Sequence, residues 1–320
     1  MSALPVIDLG AADPARLREA CETHGFFYVA GHGIDAALER RLESVTRDFF
    51  ALDEAAKRRV AMSRGGRAWR GWFPLGGELT SGAADLKEGC YFGDELPRGD
   101  PRPLHGPNLF PDELPELREV VLAWLDAQRA LGHRLMRLMA ESLGLRADFF
   151  EASLTRQPLV LFRLFHYPPP RHPAVAAGWG VGEHTDYGLL TILKQDDCGG
   201  LEVKTPGGWV DAPPLPGTFV CNLGDMLDRM TGGRYRSTPH RVRNVSGRSR
   251  FSWPFFFDPA FDARIEPLPG ALVRPVEQDA AERWDHASAH TLSGTWGDYL
   301  LAKVSKVFPE LAQATRVTSS

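Results

Sequence analysis

From residue 155 onward the chain breaks into short β-prone runs, at 159–165, 189–193, 200–204, 218–222, 240–245 and 250–257. They are separated by turn formers such as Pro168-Pro169-Pro170, Pro213-Pro214 and Gly232-Gly233. Many short strands at this spacing predict a sandwich or barrel, the arrangements in which such strands bury a common face. The first half has a different texture. Residues 5–9 and 26–30 are β-prone, and Asp13-Pro14 opens a helix between them with a cap followed by Pro in the first turn. A second helix is expected from Asp35 to Phe50. The longest helix signal runs from Asp112 to Gly144, where Leu117, Val121, Trp124, Gln128, Leu131 and Leu135 recur at spacings of three and four. That pattern predicts a buried scaffold helix, ended by Gly144. A last helix is expected from Gly294 to Phe308.

No internal repeat or low-complexity linker divides the chain, so the halves are expected to pack directly on one another. The predicted organisation is a mainly helical N-terminal region over 1–150, a β core over 151–275 and a C-terminal helical segment over 276–320. With 320 residues, 43% of them hydrophobic and 24% charged, the chain can bury a substantial core. Lys and Arg number 37 against 41 Asp and Glu, a formal charge of -4, which gives no global case for a nucleic-acid or anionic-membrane partner. Arg234, Arg236, Arg241, Arg243 and Arg248 alternate with other residues on strands and are expected to be solvated. Cys21, Cys90, Cys198 and Cys221 form no CxxC pair and read as reduced thiols. The N-terminus meets Asp8 before any signal-like apolar stretch develops, so a soluble, cytoplasmic protein is expected.

Chemistry enters at Gly182-Glu183-His184-Thr185-Asp186-Tyr187-Gly188, just before a predicted strand, where extended geometry would point His184 and Asp186 the same way. A His-X-Asp alone is weak evidence, since a surface or capping pair looks the same. His240 opens another predicted strand, and Arg250-Phe251-Ser252 lies in a third. Two His and one carboxylate on a β scaffold are the ligand set of the facial triad, which binds Fe(II) and leaves three positions open. Arg250 and Ser252 share a strand face and offer a guanidinium fork and a hydroxyl to a carboxylate.

With these residues in place the sequence resembles the isopenicillin N synthase-like group of Fe(II)/2-oxoglutarate-dependent dioxygenases, over nearly its whole length. The resemblance is carried by Pro5-Val6-Ile7-Asp8-Leu9, by Gly25-Phe26-Phe27-Tyr28-Val29 with Gly31-His32-Gly33, and by Leu164-Phe165-His166-Tyr167-Pro168-Pro169. It continues through His184, Asp186 and His240, then Gly217 to Asp225, then Arg250, Ser252 and Phe255-Phe256-Phe257-Asp258-Pro259. The implied fold is mixed α and β, a double-stranded β-helix (jelly-roll) core braced by N-terminal and C-terminal helices. The implied cofactor is Fe(II), with 2-oxoglutarate and O2 as cosubstrates and ascorbate as a candidate stimulant. Tyr167 resembles a tyrosine that reaches the cosubstrate carboxylate. Phe165 stands where plant relatives often carry Asn, which removes one polar contact to the 2-oxoacid. Asn222 and Asp225 are expected to be turn and capping residues under the metal site, His32 to be a structural residue, and His286 and His290 to have ordinary surface or packing roles.

The resemblance implies oxidation of an unactivated C–H bond of a small molecule, with release of succinate and CO2. Three other readings stay open: a 2-oxoglutarate-independent oxidase of the same superfamily, ethylene formation by fragmentation of 2-oxoglutarate, and a non-catalytic jelly-roll binding protein. The last would be expected to have lost a ligand, and all three are present. For the prime substrate, the segment from Trp69 to Phe92 resembles the pocket rim of the family and mixes aromatics with acids. Trp72, Phe73, Glu88 and Phe92 are the candidate substrate residues. An acid against an aromatic wall suits a cationic amino acid such as arginine or homoarginine. The run from His184 through Asp196 looks closest to the branch that includes ethylene-forming and homoarginine-hydroxylating enzymes.

Overall fold

The computed structural model describes residues 4–80, 82–169, 178–271, 275–283, 286, 288 and 294–308. In chain order the elements are β1 (Val6–Asp8), α1 (Pro14–Thr23), β2 (Phe26–Ala30), α2 (Ala36–Ala51), α3 (Glu54–Arg59), β3 (Gly71–Phe73), β4 (Glu88–Gly93), α4 (Glu116–Ser142) and α5 (Phe149–Ser153). There follow β5 (Leu159–Tyr167), β6 (Val181–His184), β7 (Leu190–Gln195), β8 (Leu201–Thr205), β9 (Gly208–Asp211), β10 (Phe219–Leu223), α6 (Asp225–Met230), β11 (His240–Val242), β12 (Arg250–Asp258), α7 (Val276–Glu282) and α8 (Trp296–Val307). The helix starts behave as expected: the Asp13 and Asp35 side chains accept from Ala15 N and Ala37 N, capping α1 and α2. Gly144, at φ 77, ends α4 in a conformation that favours glycine.

The strands form an eight-stranded sheet in the order β1-β2-β10-β7-β12-β5-β4-β3 and a four-stranded sheet in the order β6-β11-β8-β9. All pairings are antiparallel except β1 with β2. Side chains of both sheets line one cavity between them, so the core is the expected double-stranded β-helix. The outer face of the large sheet is covered by α4, whose Trp124 meets Phe162 of β5 and Phe219 of β10 edge-on or tilted. Gly132 lets α4 approach closely: a Cβ there would stand 2.4 Å from the Phe257 ring.

This packing fixes the parity of the central strands. On β5 and β12, Phe162 and Phe257 face α4, so Leu161, Arg163, Phe165 and Tyr167, and likewise Arg250, Ser252, Pro254, Phe256 and Asp258, face the cavity.

Several elements differ from expectation. The long helix starts at Glu116 rather than Asp112, and the strand at 240 ends at Val242. The first half contributes β1 to β4 to the large sheet in addition to its helices. β3, β4, β6 and β9 are short or glycine-bearing segments without a clear alternating pattern. Arg241 is not simply solvated: its guanidinium lies 4.2 Å from the Trp179 ring and 3.9 Å from that of Trp209, and its Nε donates to Glu202. Pro170 and His290 lie outside the described residues. Among the described residues no helix is long and apolar enough to cross a membrane.

Candidate active site

His184, Asp186 and His240, expected from the sequence to be metal ligands, converge, though by a different local geometry. β6 ends at His184 and the chain turns, so Asp186 sits in the loop leading to β7 rather than on a strand. That loop is clamped from two sides. Asp225 N donates to Asp186 O at 2.8 Å and Met226 N to Gly188 O at 3.0 Å. Leu189 N donates to the Asp258 carboxyl on the other side. A Cβ on Gly188 would stand 1.5 Å from Asp258 Oδ1, and one on Gly224 2.3 Å from Gly188 O, so both close approaches require glycine.

Within this clamp the Asp186 carboxylate is oriented by two donors on Oδ2: Asn222 Nδ2 at 2.7 Å and the Thr191 hydroxyl. Its Oδ1 is left facing His184 Nε2 at 3.7 Å and His240 Nε2 at 3.8 Å. Each imidazole directs Nδ1 at a backbone carbonyl, Gly182 O at 2.8 Å and Thr238 O at 3.2 Å. A carbonyl can only accept, so Nδ1 carries the proton and the Nε2 lone pair points inward. Burial lowers the His184 pKa; burial and then the neighbouring His184 push His240 down to about 4. Burial alone would raise Asp186, but attraction to the imidazoles in their protonated form, together with the two donors, outweighs it and holds the carboxyl below its usual value. Two neutral imidazoles and one carboxylate thus offer ligand atoms within 4.8 Å of one another, a donor set that fits Fe(II). Asn222, expected under the site as a turn residue, orients a ligand directly.

Arg250 opens β12 opposite Tyr167 on β5 and is fully buried. Its Nε donates to Gly199 O at 2.6 Å and its Nη2 to Gln195 Oε1 at 3.4 Å, and its guanidinium lies 4.6 Å from the Tyr167 ring. Nη1 is buried with no acceptor. Buried guanidinium donors are normally paired, so the arrangement fits an incoming carboxylate. The Tyr167 and Ser252 hydroxyls stand beside it, 3.3 Å apart.

Farther along the cavity a charged cluster forms part of the wall. Lys87 Nζ lies 2.7 Å from Glu78 Oε2 and also pairs with Asp85, and Tyr91 OH donates to Glu78. Arg163 Nη1 reaches Glu78 Oε1 at 3.4 Å. Trp69, Tyr187 and Phe256 add aromatic wall, and Leu300, Val304 and Val307 of α8 close one side.

The expectation that Trp72, Phe73, Glu88 and Phe92 line the pocket is corrected: the register of β3 and β4 turns Trp72, Glu88 and Phe92 away, and Phe73, though it pairs with Gly89 on the cavity side, is not among the lining residues. Gly89 pairs with Phe165 and Tyr91 with Arg163, which puts 89, 91 and 93 toward the cavity and 88, 90 and 92 away from it. Glu88 instead accepts from Trp72 Nε1 at 2.8 Å and Lys57 Nζ at 3.0 Å, and meets His166 Nδ1 at 2.8 Å. Phe92 stacks on Phe110, and Phe73 packs behind the wall against Tyr91 and Phe165. Trp69 and Glu78, named only within the broader segment, do reach the cavity; Lys87, Arg163, Thr191 and Asp258 were not singled out for it.

Comparison with known proteins agrees with this geometry. Residues 4–113 match the non-haem dioxygenase in morphine synthesis N-terminal family, and residues 158–259 match the 2OG-Fe(II) oxygenase superfamily. Over 325 residues, covering 92% of this chain and 88% of the relative, the sequence is 48% identical to a Dictyostelium discoideum protein described as a probable iron/ascorbate oxidoreductase. The chain belongs to the 2OG-Fe(II) oxygenase superfamily. A homoarginine-6-hydroxylase of Oryza sativa subsp. japonica is 40% identical to this oxygenase over 79% of each chain. A crystal structure of a 2OG-Fe(II) oxygenase family protein from Caulobacter crescentus superposes with a TM-score of 0.78 at 30% identity, covering 96% of this chain and 99% of that one. This oxygenase is therefore a non-haem enzyme that depends on Fe(II) and 2-oxoglutarate.

Proposed function

We propose that this oxygenase holds Fe(II) through His184, Asp186 and His240, binds the distal carboxylate of 2-oxoglutarate with Arg250, Ser252 and Tyr167, and hydroxylates an aliphatic C–H bond of a free amino acid with a cationic side chain. The observation that carries the reaction is that the inward-facing triad and the acceptor-less Nη1 of Arg250 open into one cavity. Fe(II) bound there with 2-oxoglutarate and O2 supplies the oxidising power, with succinate and CO2 as by-products.

The chain's own contribution is placement. Gly182 O and Thr238 O lock the imidazole tautomers, and Asn222 and Thr191 keep one carboxylate oxygen turned inward. Arg250 fixes the cosubstrate from the opposite end of the cavity wall, while the aromatic lining and α8 keep water away from the reacting bond. Support for the substrate class comes from the Glu78 carboxylate beside Trp69, Tyr187 and Phe256, a lining suited to a guanidinium or ammonium group. It comes also from the similarity to a homoarginine-6-hydroxylase.

The test is to incubate iron-loaded protein and 2-oxoglutarate with arginine, homoarginine and lysine under air. A product heavier by one oxygen, formed together with succinate, is expected from at least one of them. Failure of all three to raise succinate above the substrate-free rate would reject the cationic-substrate reading. Ethylene in the headspace, or turnover without added 2-oxoglutarate, would reassign the reaction itself.

A further inference from the structure

We infer that Arg163 anchors the α-carboxylate of the prime substrate, so that the enzyme selects free amino acids over their amides and decarboxylated analogues. This deepens the substrate class proposed above and rests on that reading only for the identity of the side chain.

Arg163 projects from β5 on the cavity face, four residues before Tyr167. At about 3.3 Å per residue the two positions are roughly 13 Å apart along the strand. Tyr167 pairs directly with Arg250, so Arg163 lies too far along the wall to serve the carboxylate that Arg250 holds. Its guanidinium carbon lies over two rings, 4.2 Å from the centroid of Tyr91 and 4.5 Å from that of Phe256, and contacts with ring faces leave its N–H groups to find acceptors.

They find few. Among the described residues its one carboxylate contact is the 3.4 Å approach of Nη1 to Glu78, which already serves the Lys87 ammonium and the Tyr91 hydroxyl. Nε is buried with no acceptor. Yet 15% of the side chain remains accessible, and the residue lines the cavity, so a ligand can reach it. A planar donor fork, fixed by stacking and short of acceptors beside the metal site, matches a carboxylate. Glu78 and Asp85 balance Lys87 and Arg163, so the cluster carries no net charge. It can therefore take the zwitterionic end of an amino acid without leaving a charge uncompensated.

Anaerobic calorimetry on the protein loaded with Fe(II) and 2-oxoglutarate tests this with the twenty free amino acids and their carboxamides, homoarginine and its amide included. At least one free acid should bind about 100-fold more tightly than its amide, the scale of a bidentate charged contact. In Arg163→Gln that ratio should fall below about threefold, and Arg163→Lys should restore part of it. Acid-over-amide selectivity confined to uncharged side chains would keep the Arg163 assignment and remove the cationic one. Equal binding of acids and amides, or binding of none, would overturn the assignment. So would a weakened affinity for 2-oxoglutarate in Arg163→Gln with the acid-to-amide ratio unchanged. Should the variants fail to fold, the acid-to-amide ratio of the unmodified protein still decides.

Discussion

Replacing Arg250 by Ala removes the side chain whose buried, acceptor-less Nη1 faces the cavity beside Tyr167 and Ser252. In the free protein the guanidinium already has Gly199 O at 2.6 Å and Gln195 Oε1 at 3.4 Å, so a carboxylate adds contacts chiefly at Nη1 and Nη2. Hydrogen bonds to charged groups contribute about 1.5–3 kcal/mol each, and two sharing one guanidinium add less than twice that. The Ser252 and Tyr167 hydroxyls remain in the variant and retain part of the binding. A net loss of about 3 kcal/mol follows, which is roughly two orders of magnitude in the 2-oxoglutarate constant. Arg250→Lys should recover about one of them, because an ammonium can meet the carboxylate but cannot also fork to Gly199. The assay is anaerobic titration of Fe(II)-loaded protein with 2-oxoglutarate, alongside KM from succinate release and a thermal melt to establish folding. If folded, iron-loaded Arg250→Ala bound 2-oxoglutarate within threefold of the unmodified protein, the argument from the acceptor-less Nη1 would be refuted.

Asn222→Ala with Thr191→Val strips both donors from Asp186 Oδ2, so Fe(II) affinity in an anaerobic titration should fall about 10- to 100-fold; an unchanged affinity would mean that these residues do not orient the ligand. Burial raises the Asp258 carboxyl to about 8, so the folded protein keeps a proton that the unfolded chain releases near pH 4. Stability from this group is therefore lost as pH rises from about 4 to about 8. Asp258→Asn, a mimic of the protonated acid, should melt above the parent by a margin that widens over that window and then levels, and a margin flat across it would contradict the buried-proton account. Glu88→Gln should lower the melting temperature, since three partners in half-buried contacts lose a charged acceptor, while leaving KM for the prime substrate within twofold; a large KM effect would return Glu88 to the pocket.

What the sequence revealed depended on whether a residue's neighbours were local. The triad was legible because two ligands are two residues apart and the third opens a recognisable β-run, and Arg250 with Ser252 because a period of two is visible on one strand. The mechanism of convergence was not legible. Asp186 reaches the site from a loop pinned by Gly188 against Asp258, a contact between residues seventy positions apart that leaves only a glycine as its local trace. Asn222 likewise read as a turn residue, since its partner is 36 positions away.

The misplacement of the substrate residues has a sharper cause. β4 is covered on both faces, so Glu88-Gly89-Cys90-Tyr91-Phe92-Gly93 shows no polar–apolar alternation, and without alternation the phase of a strand is undetermined. A one-residue change of phase exchanges Glu88 and Phe92 for Gly89 and Tyr91. β5 did not suffer from this. Once Tyr167 is assigned to the cosubstrate end, the pleat alone requires Phe165, Arg163 and Leu161 to share its face, and a charged residue on a strand face lined otherwise by Leu, Phe and Tyr is the exception that calls for a partner. The same count from Arg250 leads through Ser252, Pro254 and Phe256 to Asp258. Counting by twos from the residues proposed to bind the cosubstrate therefore reaches a second cation on one strand and a buried, protonated carboxyl on its neighbour, and it is the cation that a substrate carboxylate would satisfy.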